Sequence, residues 1–298
     1  MLVILLGPRR SGKSTIADIL TSSGYTRVRI NPTGQKDGMA FDSSSAFLTY
    51  ATTHWRDNFV CCDLVTRAEV DSFRKRPFVL LVSVEAPIGW RYARAQGTSL
   101  EEFIREDDVL HFGESLATST SSTLQLPSRP IALPHPLPSP PMSRSTSTYT
   151  RTPLKDLTPL AHLIIRPALF PSIAALRSHI TQLDLASNHR VRPEWDDYFM
   201  TLAELASLRS NCMKRRVGAV LISERKTVMS TGYNGTPRGM VNCSEGGCTR
   251  CNGGTASGVD MQECLCLHAE ENALLEAGRG RAIGGTLYCN TWVFFCFF

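Results

Sequence analysis

The sequence contains no apolar run long enough to cross a bilayer; its first one, Met1 to Leu6, runs straight into a glycine-rich turn. A spanning helix needs about 20 apolar residues, and a secretory leader needs a basic start, a longer apolar core and a cleavage region. None of these is present, so the expected location is the cytoplasm or the nucleus, with no membrane partner. There is also no stripe of clustered Lys and Arg, although the formal net charge is +5. That argues against a nucleic-acid-binding face. No internal repeat is visible. Asp and Glu are missing altogether between Glu114 and Asp156.

That acid-free gap sits inside a stretch of unusual composition. Ser, Thr and Pro fill 24 of the 39 positions from 115 to 153. Such a segment buries too little apolar surface to offset its ordering entropy, so it reads as a disordered insertion. It divides a chain of 298 residues, which has room for two ordinary domains. Before it, residues 1–114 alternate apolar runs with helical patterns. Strands are predicted at Leu2–Leu6, Asn58–Asp63 and Phe78–Val84, with a helix at Ser14–Leu20. Short apolar runs separated by amphipathic stretches indicate a parallel α/β sheet. Residues 154–188 return to helical spacing through Leu176, Ile180, Leu183 and Leu185, and complete this first domain.

A second domain spans 192–298. Pro193 followed by Glu194, Asp196 and Asp197 has the composition of a helix start. Trp195, Phe199, Leu202 and Ala206 then recur at helical spacing. Val217–Ile222 and Thr227–Thr231 read as a hairpin-like strand pair.

Two motifs carry chemistry. The first is Gly7-Pro8-Arg9-Arg10-Ser11-Gly12-Lys13-Ser14, which fits G-x-x-x-x-G-K-[ST] between a strand and a helix. Gly7 and Gly12 let backbone N–H groups curl around phosphate oxygens, Lys13 adds charge and Ser14 is placed to hold Mg²⁺. Asp63 is the candidate for a second carboxylate facing the Mg²⁺. On these residues the first domain resembles small P-loop kinases, and Arg91 and Arg94 resemble the arginines of their lid. The resemblance implies ATP or another nucleotide with Mg²⁺ at the loop. A structural or regulatory nucleotide site without phosphoryl transfer is the plainer alternative.

The second is Cys266-Leu267-His268-Ala269-Glu270, containing the His-x-Glu of zinc deaminases. Five of the ten cysteines lie between Cys243 and Cys266. In a chain without a secretory leader they read as metal ligands or buried thiols rather than disulfides. Cys248-x-x-Cys251 has zinc-knuckle spacing, and Cys243 with Cys264 or Cys266 would complete a closed structural zinc; a set of free thiols on a glycine-rich loop is the other reading.

Together with Gly232-Tyr233-Asn234-Gly235-Thr236-Pro237-Arg238-Gly239, these motifs make the stretch from Arg192 to Asn290 similar to fungal-type deoxycytidylate (dCMP) deaminases. The resemblance implies zinc-dependent hydrolysis of dCMP to dUMP for thymidylate synthesis. It implies His268 as a zinc ligand, Glu270 as the general acid/base, Asn234 on the nucleotide's sugar or base edge, and Arg279 on its 5′-phosphate. Arg279 is expected on the same helix as His268. Homo-oligomers and dCTP or dTTP as effectors are likewise implied by the resemblance alone. The expected architecture is therefore α/β throughout: a P-loop NTPase-like parallel-sheet domain, then a cytidine-deaminase-like α/β/α domain.

One part of the family pattern is missing. Pro-Cys-x-x-Cys should follow Thr291 and supply two zinc ligands, but the chain reads Trp292-Val293-Phe294-Phe295-Cys296-Phe297-Phe298. On this reading the second domain is incomplete, either as a shortened protein or as a gene-model artefact, and the polypeptide as written is expected to be inactive. Its rival reading is a nucleotide-binding P-loop kinase or regulator carrying a dead deaminase domain.

Overall fold

The structure is a computed structural model that describes residues 1–30, 38–113, 151–256 and 258–291. The Ser/Thr/Pro-rich stretch 115–153 lies almost wholly outside that set, and so does the tail from Trp292 to Phe298. The chain divides into two compact units, Met1–Arg192 and Pro193–Phe298.

In the first unit the elements run β1 (Leu2–Leu6), α1 (Lys13–Ser22), β2 (Thr26–Ile30), β3 (Met39–Phe41), α2 (Ser44–Thr53), β4 (Phe59–Cys61), α3 (Arg67–Arg74), β5 (Val79–Val84), α4 (Ile88–Tyr92) and α5 (Leu100–Phe112). After the insertion come α6 (Leu154–Leu157), β6 (Leu163–Ile165) and α7 (Ile173–Leu183). The six strands form one parallel sheet in the order β3-β2-β4-β1-β5-β6. A parallel sheet needs cover on both faces, and β1 shows how this chain supplies it. Val3 and Leu5 point into a core shared with Ile16, Leu20, Leu176 and Ile180 of α1 and α7. Leu2, Ile4 and Leu6 point into another shared with Phe47, Val70 and Phe73 of α2 and α3.

The segment 154–188 does more than add helix, because β6 extends the sheet beyond β5. Its three residues, Leu163-Ile164-Ile165, are too few to show a period of two. β2 and β3 were equally invisible: polar Thr26, Arg27 and Arg29 break the apolar pattern of β2, and β3 is three residues long.

The lid expectation for Arg91 is corrected by the structure. Its guanidinium is 4% exposed and forms a bidentate pair with Asp107, at 2.6 Å in both bonds, while its Nε donates to the Ala86 carbonyl. A buried fork already filled by a carboxylate is not free for a phosphate. Arg94 lies over the Trp90 ring at 4.3 Å.

The second unit is built from α8 (Trp195–Ser207), β7 (Gly218–Ile222), β8 (Val228–Tyr233), α9 (Thr249–Asn252), α10 (Ala269–Ala277), α11 (Arg279–Ala282) and β9 (Thr286–Cys289). β7 lies at the centre of a three-stranded antiparallel sheet ordered β8-β7-β9. It is buried along its whole length, and its side chains alternate between two cores. Val220 and Ile222 pack with Phe199 and Ala203 of α8; Ala219 and Leu221 pack with Ala269, Ala273 and Ala277 of α10. The result is an α/β/α sandwich. The buried stripe of α8 is Phe199, Ala203 and Ser207, while Trp195 at its first turn is half exposed.

Contact between α10 and β8 depends on a missing side chain. A Cβ on Gly232 would lie 2.0 Å from the Ala269 carbonyl oxygen and 2.5 Å from the Ala273 nitrogen. Small residues on both sides bring the backbones together, and polar bonds hold them there. Asn272 Nδ2 donates to the Tyr233 carbonyl at 2.7 Å, and the Ser230 hydroxyl donates to the Ala273 carbonyl at 2.7 Å.

Two substitutions test these contacts. Asp107→Ala leaves the Arg91 charge buried without its partner and should cost the first unit about 3–5 kcal/mol in denaturant unfolding. Gly232→Ala forces α10 off the sheet and should cost the second unit about 1–3 kcal/mol. Unchanged unfolding midpoints would show that these contacts do not hold the two cores.

Candidate active site and thiol cluster

The start of α10 carries the His-x-Glu motif. His268 is the N-cap residue, with extended backbone. Its own N–H donates to Glu271 Oε2 at 2.8 Å, and this bond to the third helical residue fixes where the helix begins. Glu270 follows in the first turn, where the helix dipole favours negative charge. Its Oε1 accepts a hydrogen bond from Cys289 Sγ at 3.1 Å. Cys289 is the last residue of β9. Burial and then the Glu270 carboxylate push its thiol up to about 12. Glu270 is half-buried and His268 exposed. Among the described residues no group of three or more metal-ligating side chains includes His268.

Asn234 lies just beyond β8, and its side chain is already engaged. Oδ1 accepts from the Ser210 hydroxyl at 2.6 Å and from the Val217 N–H at 2.9 Å, and Nδ2 donates to the Arg215 carbonyl at 2.8 Å. Asn234 therefore stitches the loop after α8 to the loop after β8. Arg279 is not on the helix of His268: α10 ends at Ala277, and Arg279 opens the separate short α11 beyond Gly278, exposed. A glycine with φ of +74° separates the two, a conformation that breaks the run of helical turns.

The cysteines converge more closely than their spacing suggested. Cys243, Cys248 and Cys251 are buried together, with Cys212, Cys264 and Cys266 packed against them. Cys251 Sγ lies 3.9 Å from Cys212 Sγ, 3.7 Å from Cys264 Sγ and 3.9 Å from Cys266 Sγ. None of these cysteines forms a disulfide. Burial works against ionisation of Cys212 and Cys248, yet hydrogen bonds outweigh it. Backbone N–H groups of Lys214 and Arg215 pull Cys212 below the usual thiol range, and those of Cys251 and Leu265 bring Cys248 down to about 6. Cys251 and Cys266 are raised, by burial and by the neighbouring thiols.

Cys212 is the member that sequence spacing missed. It lies 31 positions before Cys243 with the β7–β8 hairpin between them, so no C-x-x-C pattern marks it. Its loop is brought in by Asn211, whose Oδ1 accepts from the Thr236 N–H and whose Nδ2 donates to Asn242 Oδ1.

In the first unit, β1, the loop 7–12 and α1 follow one another as the motif requires. Gly7 has φ of +141°, and a Cβ there would sit 2.2 Å from the Val84 carbonyl oxygen. Gly12, also at positive φ, is the N-cap of α1. Lys13 Nζ donates to the Gly7 and Pro8 carbonyls, each at 2.6 Å. Burial pulls the Lys13 ammonium down to about 8; Cys62 opposes the fall, and the positive Arg151 and Arg91 add to it. Ser14 is exposed in the first turn of α1, and the Ser11 hydroxyl is buried with no hydrogen-bond partner among the described residues. Asp63 bonds to β2 rather than to the loop: Oδ2 accepts from the Ile30 N–H at 3.0 Å, and Oδ1 is 3.9 Å from Arg29 Nη1.

Comparison with known proteins places the site in a family. Residues 193–293 match the family profile described as the cytidine and deoxycytidylate deaminase zinc-binding region. Deoxycytidylate deaminase of Schizosaccharomyces pombe is 36% identical over 96% of this chain and 82% of its own length. That of Saccharomyces cerevisiae is 36% identical over 84% of this chain and 72% of its own length. Among solved structures, the apo dCMP deaminase of cyanophage S-TIM5 is similar to 33% of this chain and 66% of its own, at 32% identity and a TM-score of 0.24. On the extent of the two yeast matches, which take in both units, this chain belongs to the deoxycytidylate deaminase family.

Proposed function

We propose that the second unit is built to hydrolyse dCMP to dUMP and ammonia once two thiolates join His268 on zinc, with Glu270 as its proton carrier. The observation that supports this reading is the placement of His268 and Glu270 on the first turn of α10, a helix locked to the sheet through Gly232. Deamination adds water to C4 of the cytosine ring and expels ammonia. The proton lost by the water has to reach the ring nitrogen and then the leaving amine. A carboxylate held at one place can accept and return it, and Glu270 is half-buried in the first turn of α10. Zinc belongs to the family region matched by 193–293 and, when bound, supplies an acidified water. His268 is the ligand that this chain offers among its described residues; two thiolate partners for it are not among them.

For the nucleotide's 5′-phosphate, Arg279 is an exposed guanidinium one glycine beyond α10, and its fork suits a phosphate. Asn234 supports the loop from Gly232 to Gly239 through its three intrachain bonds, and an effect on substrate binding would act through that loop.

The first unit we read as a nucleotide-phosphate site with Mg²⁺, a seat for an effector such as dCTP or dTTP rather than for phosphoryl transfer. The support is the strand–loop–helix with Lys13 turned onto loop carbonyls and an unpartnered Ser11 hydroxyl beside it. Asp63, bonded to β2, gives the metal no ready second carboxylate.

A chain in which Pro-Cys-x-x-Cys follows Thr291 should, with zinc, convert dCMP to dUMP, and Glu270→Gln in it should lower kcat by about 10²-fold or more, followed by the absorbance change of the base. A folded, zinc-loaded chain of that kind that yields no dUMP would sink the reading. Lys13→Ala should abolish binding of a nucleoside triphosphate with Mg²⁺ in calorimetry while dUMP formation without effector persists. Binding by the unsubstituted chain should be strongest below pH 8 and weaken as pH rises past it, because the free ammonium, at about 8, then loses the charge that attracts phosphate. Flat affinity from pH 7 to pH 10 would remove Lys13 from that role.

A further inference from the structure

The six clustered cysteines form two overlapping ligand sets, not one. Cys212, Cys243, Cys251 and Cys266 are one group of four, and Cys248, Cys251, Cys264 and Cys266 are the other; within each group the sulfurs lie within 4.8 Å of one another. Cys251 and Cys266 belong to both. We propose that this cluster binds two zinc ions, with Cys251 and Cys266 bridging them and Cys212, Cys243, Cys248 and Cys264 as terminal ligands.

The distances match that arrangement. Zinc bonds thiolate at about 2.3 Å, so the edge of a regular tetrahedron of sulfurs around it is about 3.8 Å. Cys251 stands at 3.7–3.9 Å from three other sulfurs at once, in Cys212, Cys264 and Cys266. A disulfide joins one partner at about 2.05 Å, and a thiol equidistant from three others is not poised for any one of them. A single zinc would take four ligands and leave two thiols buried or half-buried beside it. Two ions sharing two sulfurs use all six, and each has a closed shell of four. Soft thiolates select zinc over the oxygen-seeking divalent ions.

Charge is also accommodated. Two Zn²⁺ and six thiolates sum to −2, which needs donors nearby. The Met213 N–H donates to Cys243 Sγ at 3.5 Å, and Asn252 Nδ2 donates to the same sulfur at 3.8 Å. The loops that carry the ligands have little apolar content and are the kind of segment that metal binding orders. Their order matters to α10. Cys266 is followed by Leu267, whose backbone pairs with Gly235 in an isolated antiparallel bridge, and then by His268. A bridging ligand at Cys266 therefore anchors the segment that leads into the first turn of the helix. The inference holds whether or not the chain deaminates dCMP.

The test counts metal without counting any ion at His268. The full chain carrying His268→Ala, purified under reducing conditions and reconstituted with zinc, should retain two zinc equivalents per chain. X-ray absorption at the zinc edge should show a sulfur-only first shell and a metal–metal scattering shell from the shared thiolates. One equivalent, or two without a metal–metal shell, overturns the bridged pair. No bound zinc, with all six thiols open to a thiol reagent in the folded protein, overturns the metal site itself. Because neither readout uses substrate, failure here leaves the deaminase reading to its own assay.

Discussion

Backbone contact between α10 and β8 is the constraint on which the second unit depends. Gly232 has no side chain, and on the helix Ala269 and Ala273 present only methyl groups to the sheet. The helix therefore lies against the strand closely enough for Ser230 to bond an α10 carbonyl and for Asn272 to bond a β8 carbonyl. A larger residue on either side would move the helix, and with it His268 and Glu270. A carboxylate on a rigid element is held where it can meet partner atoms at hydrogen-bond distance, as Glu270 meets Cys289.

The loops around that helix are organised by different forces. Asn234 links Ser210, Arg215 and Val217; Asn211 links Thr236 and Asn242. Both asparagines carry their loops toward the sulfur cluster, and Cys266 hands on to His268 through one bridged residue. Packing sets the height of α10 over the sheet, whereas side-chain amides and thiols set the approach to its first turn. The first unit repeats the close approach at another glycine. Its loop 7–12 is fixed by Gly7 passing close to β5 and by Lys13 bonding back to the loop, on a parallel sheet with an apolar core on each face.

Much of this was legible before any coordinates. The unbroken apolar runs of β1, β4 and β5 identify buried parallel strands, and the Gly-Lys-Ser turn marks the passage from β1 to α1. His268-x-Glu270 with the glycine-rich loop before it was enough to name the family. Less was legible in short or polar elements: β2 carries two arginines, and β3 and β6 have three residues each. Arg279 was misplaced because helical spacing continues smoothly from Ala269 past Ala277, and only a glycine at positive φ ends the helix. Arg91 was read as a lid residue because its partner Asp107 lies 16 positions away, beyond the reach of local pattern.

What the sequence determined by itself is local: a histidine and a glutamate two positions apart at the start of a helix, a glycine-rich turn between a strand and a helix, and thiols too numerous and too local for an ordinary core. Such features depend on residue type and near spacing, which the chain writes out directly. Tertiary structure alone decided which thiols meet and which charges are spent. Cys212 joins Cys251 across 39 positions, and Arg91 closes on Asp107, because folding brings distant loops together and a buried charge or thiol must then find a partner where it lies.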